Sequence, residues 1–225
     1  MIFNRKKMSI NKVLCNDKNN IFLKIFIRKV IKYILVILIE SVIIIFFVNR
    51  IKVISIANSE KQINNIIIYS KIENDLKTFP IPLAYRSEIN YEDTFGASRN
   101  NGGHEGCDIM DNLNVSGRIP IVSATDGTVT NIGWLYLGGY RIGITSENDI
   151  YYYYAHLDSY AKGIKTGDKI IAGQLIGFMG DTGEGDEGTR GKFPVHLHFG
   201  IYSGISQGKE RPIDPYSFIK MIELK

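Results

Sequence analysis

Apolar positions divide the chain into three textures. From Tyr33 to Val48, "YILVILIESVIIIFFV" is broken only by Glu40 and Ser41, and the apolar character continues through Ile51, Val53, Ile54 and Ile56. Lys32 and Arg50 flank the run and can carry their charges outward on aliphatic stems. A run this long and uniform predicts a membrane-spanning helix over 33–54. The next stretch, "NSEKQINNIIIYSKIENDLK", mixes polar residues with an isoleucine patch and reads as a helical stalk or linker over 55–77. At "FPIP" two prolines fix an extended entry into a new domain, expected over 78–225.

Past that entry the pattern becomes one of short β-branched and aromatic runs. "RIPIVSA", "GTVTNIGWLY", "YRIGITSE", "IYYYYAHL", "DKIIAGQLIGFMG" and "VHLHFGIYS" are candidate strands, with turn signals at Asp126-Gly127, Gly138-Gly139 and Gly167-Asp168. Only "YSFIKMIEL", Tyr216 to Leu224, reads as a helix there. The predicted fold is a mainly β, antiparallel sheet domain with a short C-terminal helix, preceded by a single transmembrane helix.

Composition sharpens the picture in four ways. All 22 glycines lie from Gly96 onward, consistent with a turn-rich β domain. Residues 1–32 hold nine Lys or Arg against Asp17 alone; this +8 leaves −4 for the rest of a chain whose net charge is +4. A basic segment ahead of the span predicts a cytoplasmic N-terminus and an extracellular β domain, hence a single-pass protein of the cell membrane. Cys15 and Cys107 then lie on opposite sides of the membrane and cannot pair, so the domain relies on its own core.

"SIA", Ser55 to Ala57, has the small residues of a signal-peptidase site, but the long basic region and the charges of Arg50 and Lys52 favour an uncleaved anchor over a cleaved leader. Glu40 is costly in hydrocarbon and marks either a function or a partner helix. Nucleic acid is excluded as a partner, because the exported part is acidic and no Lys/Arg run follows residue 52. "GDTGEGDEGTRG", Asp181 onward without its leading glycine, lacks the ligand alternation of a calcium loop and reads as a mobile loop.

The candidate chemistry lies in four histidines, all in the predicted β domain: His104, His156, His196 and His198. In a strand, i and i+2 project to one face roughly 6–7 Å apart, so His196 and His198 look into one site. His104 and Asp108, four apart in "HEGCD", share one face of a strand or a helix. Histidine and aspartate are suited to zinc, and three protein ligands with an open position make a catalytic zinc site. Spacing alone leaves open which of His196 and His198 would ligate.

"HEGCD" is not a zinc-protease helix, because Gly102, Gly103 and Gly106 disfavour helix and the fifth residue is Asp. Glu105 is expected to point away from the metal and is not assigned as a base. Cys107 should face away from Asp108 as a buried thiol. Tyr151 to Tyr154 alternate faces, with Tyr152 or Tyr154, on the His156 face, a candidate to line a substrate groove. Asp158 is a candidate to orient His156, with a turn acid as the alternative. Arg99 and Lys192 read as solvated, with contact to a substrate carboxylate as the lesser alternative.

In this order and spacing, "HEGCD", "YYAHLDSY" and "HLHFG", supported by "EDTFGASR", "GTVTNIGW", "GDKIIAGQLIGFMGDTG" and "DPYSFI", resemble the lysostaphin and LytM-type peptidases of the M23 family. The resemblance covers about residues 78–220. It implies a grooved antiparallel fold, Zn2+ held by His104, Asp108 and His198, and catalytic roles for His156 and His196, whose division between them stays open. It further implies a zinc metalloendopeptidase that hydrolyses stem-peptide or cross-bridge bonds of peptidoglycan outside the cytoplasmic membrane. The alternative of another class is a noncatalytic wall-binding scaffold for division, morphogenesis or sporulation. A purely structural zinc is a third reading, opposed by the open position and the two further histidines. The complete ligand set favours the enzyme.

Overall fold

The computed structural model describes residues 2–99, 102–208 and 210–223, with side chains from Phe22 onward; Cys15 and the first five basic residues of the tail lie outside the described side chains. One helix, α1, runs Ile2–Asp75. From Phe22 to Asn64 every residue is exposed, and this part contains a stretch long and apolar enough to cross a membrane. A helix satisfies its own backbone hydrogen bonds, which is what a segment so rich in β-branched residues would need in order to cross hydrocarbon, where no water is present to do so. Ser41 is satisfied locally, its hydroxyl donating to the Ile37 carbonyl at 2.7 Å.

The chain divides into two compact units, Met1–Asn64 and Asn65–Lys225. The last turns of α1 therefore belong to the β unit, which starts ahead of the expected boundary at 78. The reason is legible in the spacing Ile68, Ile72, Leu76, an i, i+4, i+8 stripe whose last two members are fully buried. Asp75 is buried beside them and accepts hydrogen bonds from Ser146 Oγ (2.5 Å), Asn148 Nδ2 (2.7 Å) and the Tyr152 hydroxyl (3.2 Å). A buried carboxylate is tolerable only with such partners.

Among the described residues twelve strands follow: β1 Ile89–Tyr91, β2 Ser98–Arg99, β3 Gly102–Gly103, β4 Cys107–Asp111, β5 Pro120–Val122, β6 Gly127–Leu135, β7 Gly139–Thr145, β8 Ile150–Tyr160, β9 Lys169–Ile170, β10 Leu175–Met179, β11 His196–Ser203 and β12 Arg211–Ile213. All but β2 and β3, which form their own hairpin, join one sheet. Its main path is β1-β4-β11-β8-β7-β6-β9, with β10 bridging β8 and β5 and β12 on β11; every pairing is antiparallel. The antiparallel β expectation is thus met. The run expected as one strand, "DKIIAGQLIGFMG", is split into β9 and β10 by a turn in which Gly173 has φ +83° and Gln174 N–H donates to Ile171 O.

The core sits against one face of β4, β11 and β8. Tyr152 and Tyr154 pack on Phe199, and Tyr154 satisfies its hydroxyl by accepting the Ala124 N–H at 2.9 Å. The C-terminal helix α2, Tyr216–Glu223, closes this core with Phe218, Ile219 and Ile222. Packing one face of the central strands leaves the other face free to carry polar side chains.

Candidate active site

Those polar side chains are set by register. Asp108 on β4 lies directly opposite His198 on β11, which lies opposite Ala155 on β8. Directly opposed residues share a face, so Asp108 Oδ1 and His198 Nδ1 come to 2.9 Å. His104 precedes β4 rather than lying in it. Its backbone donates to Ala97 O and accepts from Gly96 N–H, extending the β2–β3 hairpin, and its Nε2 stands 3.0 Å from both Asp108 Oδ1 and His198 Nδ1. Gly106 makes the approach possible: a Cβ there would lie 2.6 Å from the His198 ring.

His156 reaches the same site through a bulge. Strict alternation along β8 would put it on the core face with Tyr152 and Tyr154, which are both fully buried. Between Tyr154 and Leu157, however, β8 carries one residue more than the facing segment of β7, and His156 adopts φ +62°. The extra residue turns His156 onto the face of Tyr153 and Ala155. Tyr152 and Tyr154 therefore do not line the groove; Tyr153 does, together with Tyr202.

The two remaining histidines are held by backbone carbonyls. His156 Nδ1 is 2.8 Å from Thr182 O and His196 Nδ1 is 2.7 Å from Pro194 O. An imidazole nitrogen facing a carbonyl must carry the proton, which leaves each Nε2 with its lone pair. The His156 and His196 rings lie 4.6 Å apart between centroids, and Phe193 packs on both. Burial lowers the pKa of each, that of His156 to about 3, so both rings are neutral near pH 7.

His104 differs in that its Nδ1 lies 3.0 Å from both the carbonyl and the hydroxyl of Thr94. Burial opposes ionisation of Asp108, but the adjacent His104 and His198 imidazoles hold its carboxyl well below the usual carboxylate range. With Nδ1–H given to Thr94 O, His104 Nε2 can turn a lone pair to a cation shared with Asp108 Oδ1, 3.0 Å away. Such a cation would take the place of the imidazole N–H groups that otherwise hold the carboxylate ionised. His104 Nε2, Asp108 Oδ1 and His198 Nδ1 thus fit a divalent metal, being close to the edge of about 3.3 Å that zinc bond lengths imply. Their nitrogen and oxygen donors suit zinc.

The five histidine and aspartate side chains line one open cavity of about 420 Å³. Other sequence expectations fare unevenly. Cys107 is buried and its thiol is pushed up to about 12 by burial. Glu105 is exposed and lies on the rim of the cavity beside Tyr202. Asp158 does not orient His156; it accepts from Arg190 Nη1 (2.7 Å) and Ser116 Oγ (3.1 Å). Lys192 is exposed. Arg99 is not merely solvated, since its Nη2 donates to Asp108 Oδ2 at 2.6 Å. Thr94 and Thr182 orient the rings through backbone oxygens, Thr94 through its hydroxyl as well, and a carbonyl leaves no mark in side-chain identity.

The antiparallel fold and a His–Asp–His donor set that fits a metal mark this face of the sheet as a candidate metal centre. The family model described as Peptidase family M23 matches residues 102–215, and the chain belongs to that family. It is 41% identical over 158 residues to the L-Ala--D-Glu endopeptidase of Bacillus subtilis (strain 168), covering 69% of this chain and 46% of that protein. It is 32% identical over 123 residues to the glycyl-glycine endopeptidase ALE-1 of Staphylococcus capitis, covering 54% of this chain and 30% of that one. The chain thus spans less than half the length of these curated relatives. Among solved structures, a Ruminococcus gnavus ATCC 29149 protein described as a glycyl-glycine endopeptidase, lytM, is 50% identical with a TM-score of 0.63, covering 68% of this chain and 62% of that one.

Proposed function

We propose that the chain is a zinc-dependent endopeptidase that cuts peptide bonds of peptidoglycan outside the cytoplasmic membrane, anchored by residues 33–54. One observation carries the proposal: in a member of an endopeptidase family, a His–Asp–His triad and two neutral histidines with free Nε2 atoms open into a single cavity. His104, Asp108 and His198 would hold the metal. Zinc so held supplies Lewis acidity, which activates water and polarises a peptide carbonyl.

The remaining steps belong to His156 and His196. Each has Nδ1 fixed by a carbonyl, so the proton of the attacking water passes to an Nε2 and from there to the departing amine. Phe193 shields both rings from bulk water, and Tyr153, whose hydroxyl burial keeps protonated, supplies a donor within the cavity. The basic residues ahead of the span support an outward-facing domain. The test is release of soluble muropeptides from purified walls by the full chain in detergent, with and without chelator, beside His196→Ala. Chelator-sensitive release that the variant lacks is expected; equal release by the variant would overturn the assignment of His196.

A further inference from the structure

The two curated relatives are named for different bonds, one beside a glutamate and one between glycines, and the groove holds one feature that separates such substrates. A glutamyl residue joined through its γ-carboxyl keeps a free α-carboxylate beside the scissile bond, whereas a glycine bridge carries no charge. Among the described residues, Arg99 is the one Lys or Arg that lines the cavity. It sits on the β2–β3 hairpin, and one of its five N–H donors is spent on Asp108 Oδ2. Its side chain is 50% exposed and lines the cavity, with four N–H donors not committed to Asp108. Asp108 Oδ1, the oxygen facing His104 and His198, is left free by that pairing.

The order of contacts across the site is Arg99 to Asp108, Asp108 to His196 (3.7 Å), His196 to His156 (centroids 4.6 Å), and His156 to the segment of Gly183 and Glu184. A cation therefore stands at one end of the reacting row and an acid, Glu184, at the other. Glu105 on the rim is the further acid, placed beside Tyr202. We infer that Arg99 is a specificity residue that binds a free carboxylate of the substrate next to the scissile bond, which selects acidic stem peptides over neutral glycine bridges. A guanidinium suits this because its planar fork can engage a carboxylate while keeping its bond to Asp108.

The inference rests on the peptidase reading, and its test separates the two. The full chain, zinc-loaded in detergent, is given L-Ala-γ-D-Glu-L-Lys and its counterpart with the α-carboxylate replaced by carboxamide. Wild type should favour the carboxylate in kcat/KM by about tenfold to a hundredfold, the range of one hydrogen bond to a charged group. Arg99→Gln should bring that ratio near one, and Arg99→Lys should leave it intermediate. A ratio unchanged in Arg99→Gln, or absent in wild type, overturns the inference. So does an equal slowing of both peptides with zinc loss, which would make Arg99 only a support for Asp108. If wild type cleaves neither peptide yet releases muropeptides from walls, the inference is overturned and the peptidase reading stands; if it releases none from walls either, the peptidase reading fails, and calorimetric binding of the same pair to wild type and Arg99→Gln decides Arg99 on its own.

Discussion

His104 and His198 meet a carboxylate, while His156 and His196 meet backbone carbonyls, although all four rings open into one cavity. Residue type is the same in both pairs; the carboxylate sets the first pair apart, since His104 meets the Thr94 carbonyl as well. A carboxylate gathers lone pairs and charge around one point, the requirement for holding a cation. A carbonyl fixes one proton on Nδ1 and leaves a neutral ring that can take up and return a second. The same comparison holds within two residues of β11, where alternation puts His196 and His198 on one face and their neighbours divide the work.

The sharpest way to break the comparison is to move a residue from one side of it to the other. His198→Ala, on the carboxylate side, is expected to abolish both bound zinc, measured by equilibrium dialysis and elemental analysis, and wall hydrolysis. His156→Ala, on the carbonyl side, is expected to retain zinc and slow hydrolysis by about 10²–10⁴-fold, the usual cost of losing a proton-transfer group. Loss of zinc in both variants, or in neither, would erase the distinction.

Acid sharpens it next. His156 is neutral when folded, with its pKa lowered from 6.5 to about 3, so the unfolded chain binds a proton across that interval and the folded one does not. Its contribution to stability is whole above pH 6.5 and is lost as pH falls toward 3, at a slope of up to about 1.4 kcal/mol per pH unit. Thermal melts of metal-free protein between pH 7 and 4 should show this decline, and His156→Phe should make it shallower, leaving the part due to His196. An equally steep decline in that variant would place the titrating group elsewhere.

The smallest effect is expected at Asp158, the acid that sequence offered as a partner for His156. Its contacts are instead with Arg190 and Ser116 on a partly exposed surface, where an ion pair contributes about 0–1 kcal/mol. Asp158→Asn should therefore lower the unfolding free energy by no more than about 1 kcal/mol. It should leave the pH profile of hydrolysis in place; a shifted profile would restore Asp158 to the histidine it was first assigned.

Much of this was legible in the chain itself. The apolar run from Tyr33, the turn-separated β runs and the His-x-His of β11 all express periodicities that a backbone imposes locally. Less legible were features that depend on a second strand or loop. Tyr153 replaces Tyr152 and Tyr154 in the groove because one extra residue in β8 reverses the alternation ahead of His156, and no side chain announces that bulge. Ile72 and Leu76 looked like stalk because an i, i+4 stripe says that a face is apolar without saying what covers it.

The sequence by itself determined a β domain behind an apolar span, and placed two imidazoles on one face of a strand, since both follow from side-chain chemistry repeated at the period of a single element. Tertiary structure alone decided that Thr94, Thr182 and Pro194 orient the rings, that Gly106 lets His198 approach His104, and that Arg99 reaches Asp108. These contacts are made largely by backbone atoms or by residues brought together across the sheet. Every residue carries the same carbonyl, so only the folded path of the chain can choose which one meets a histidine.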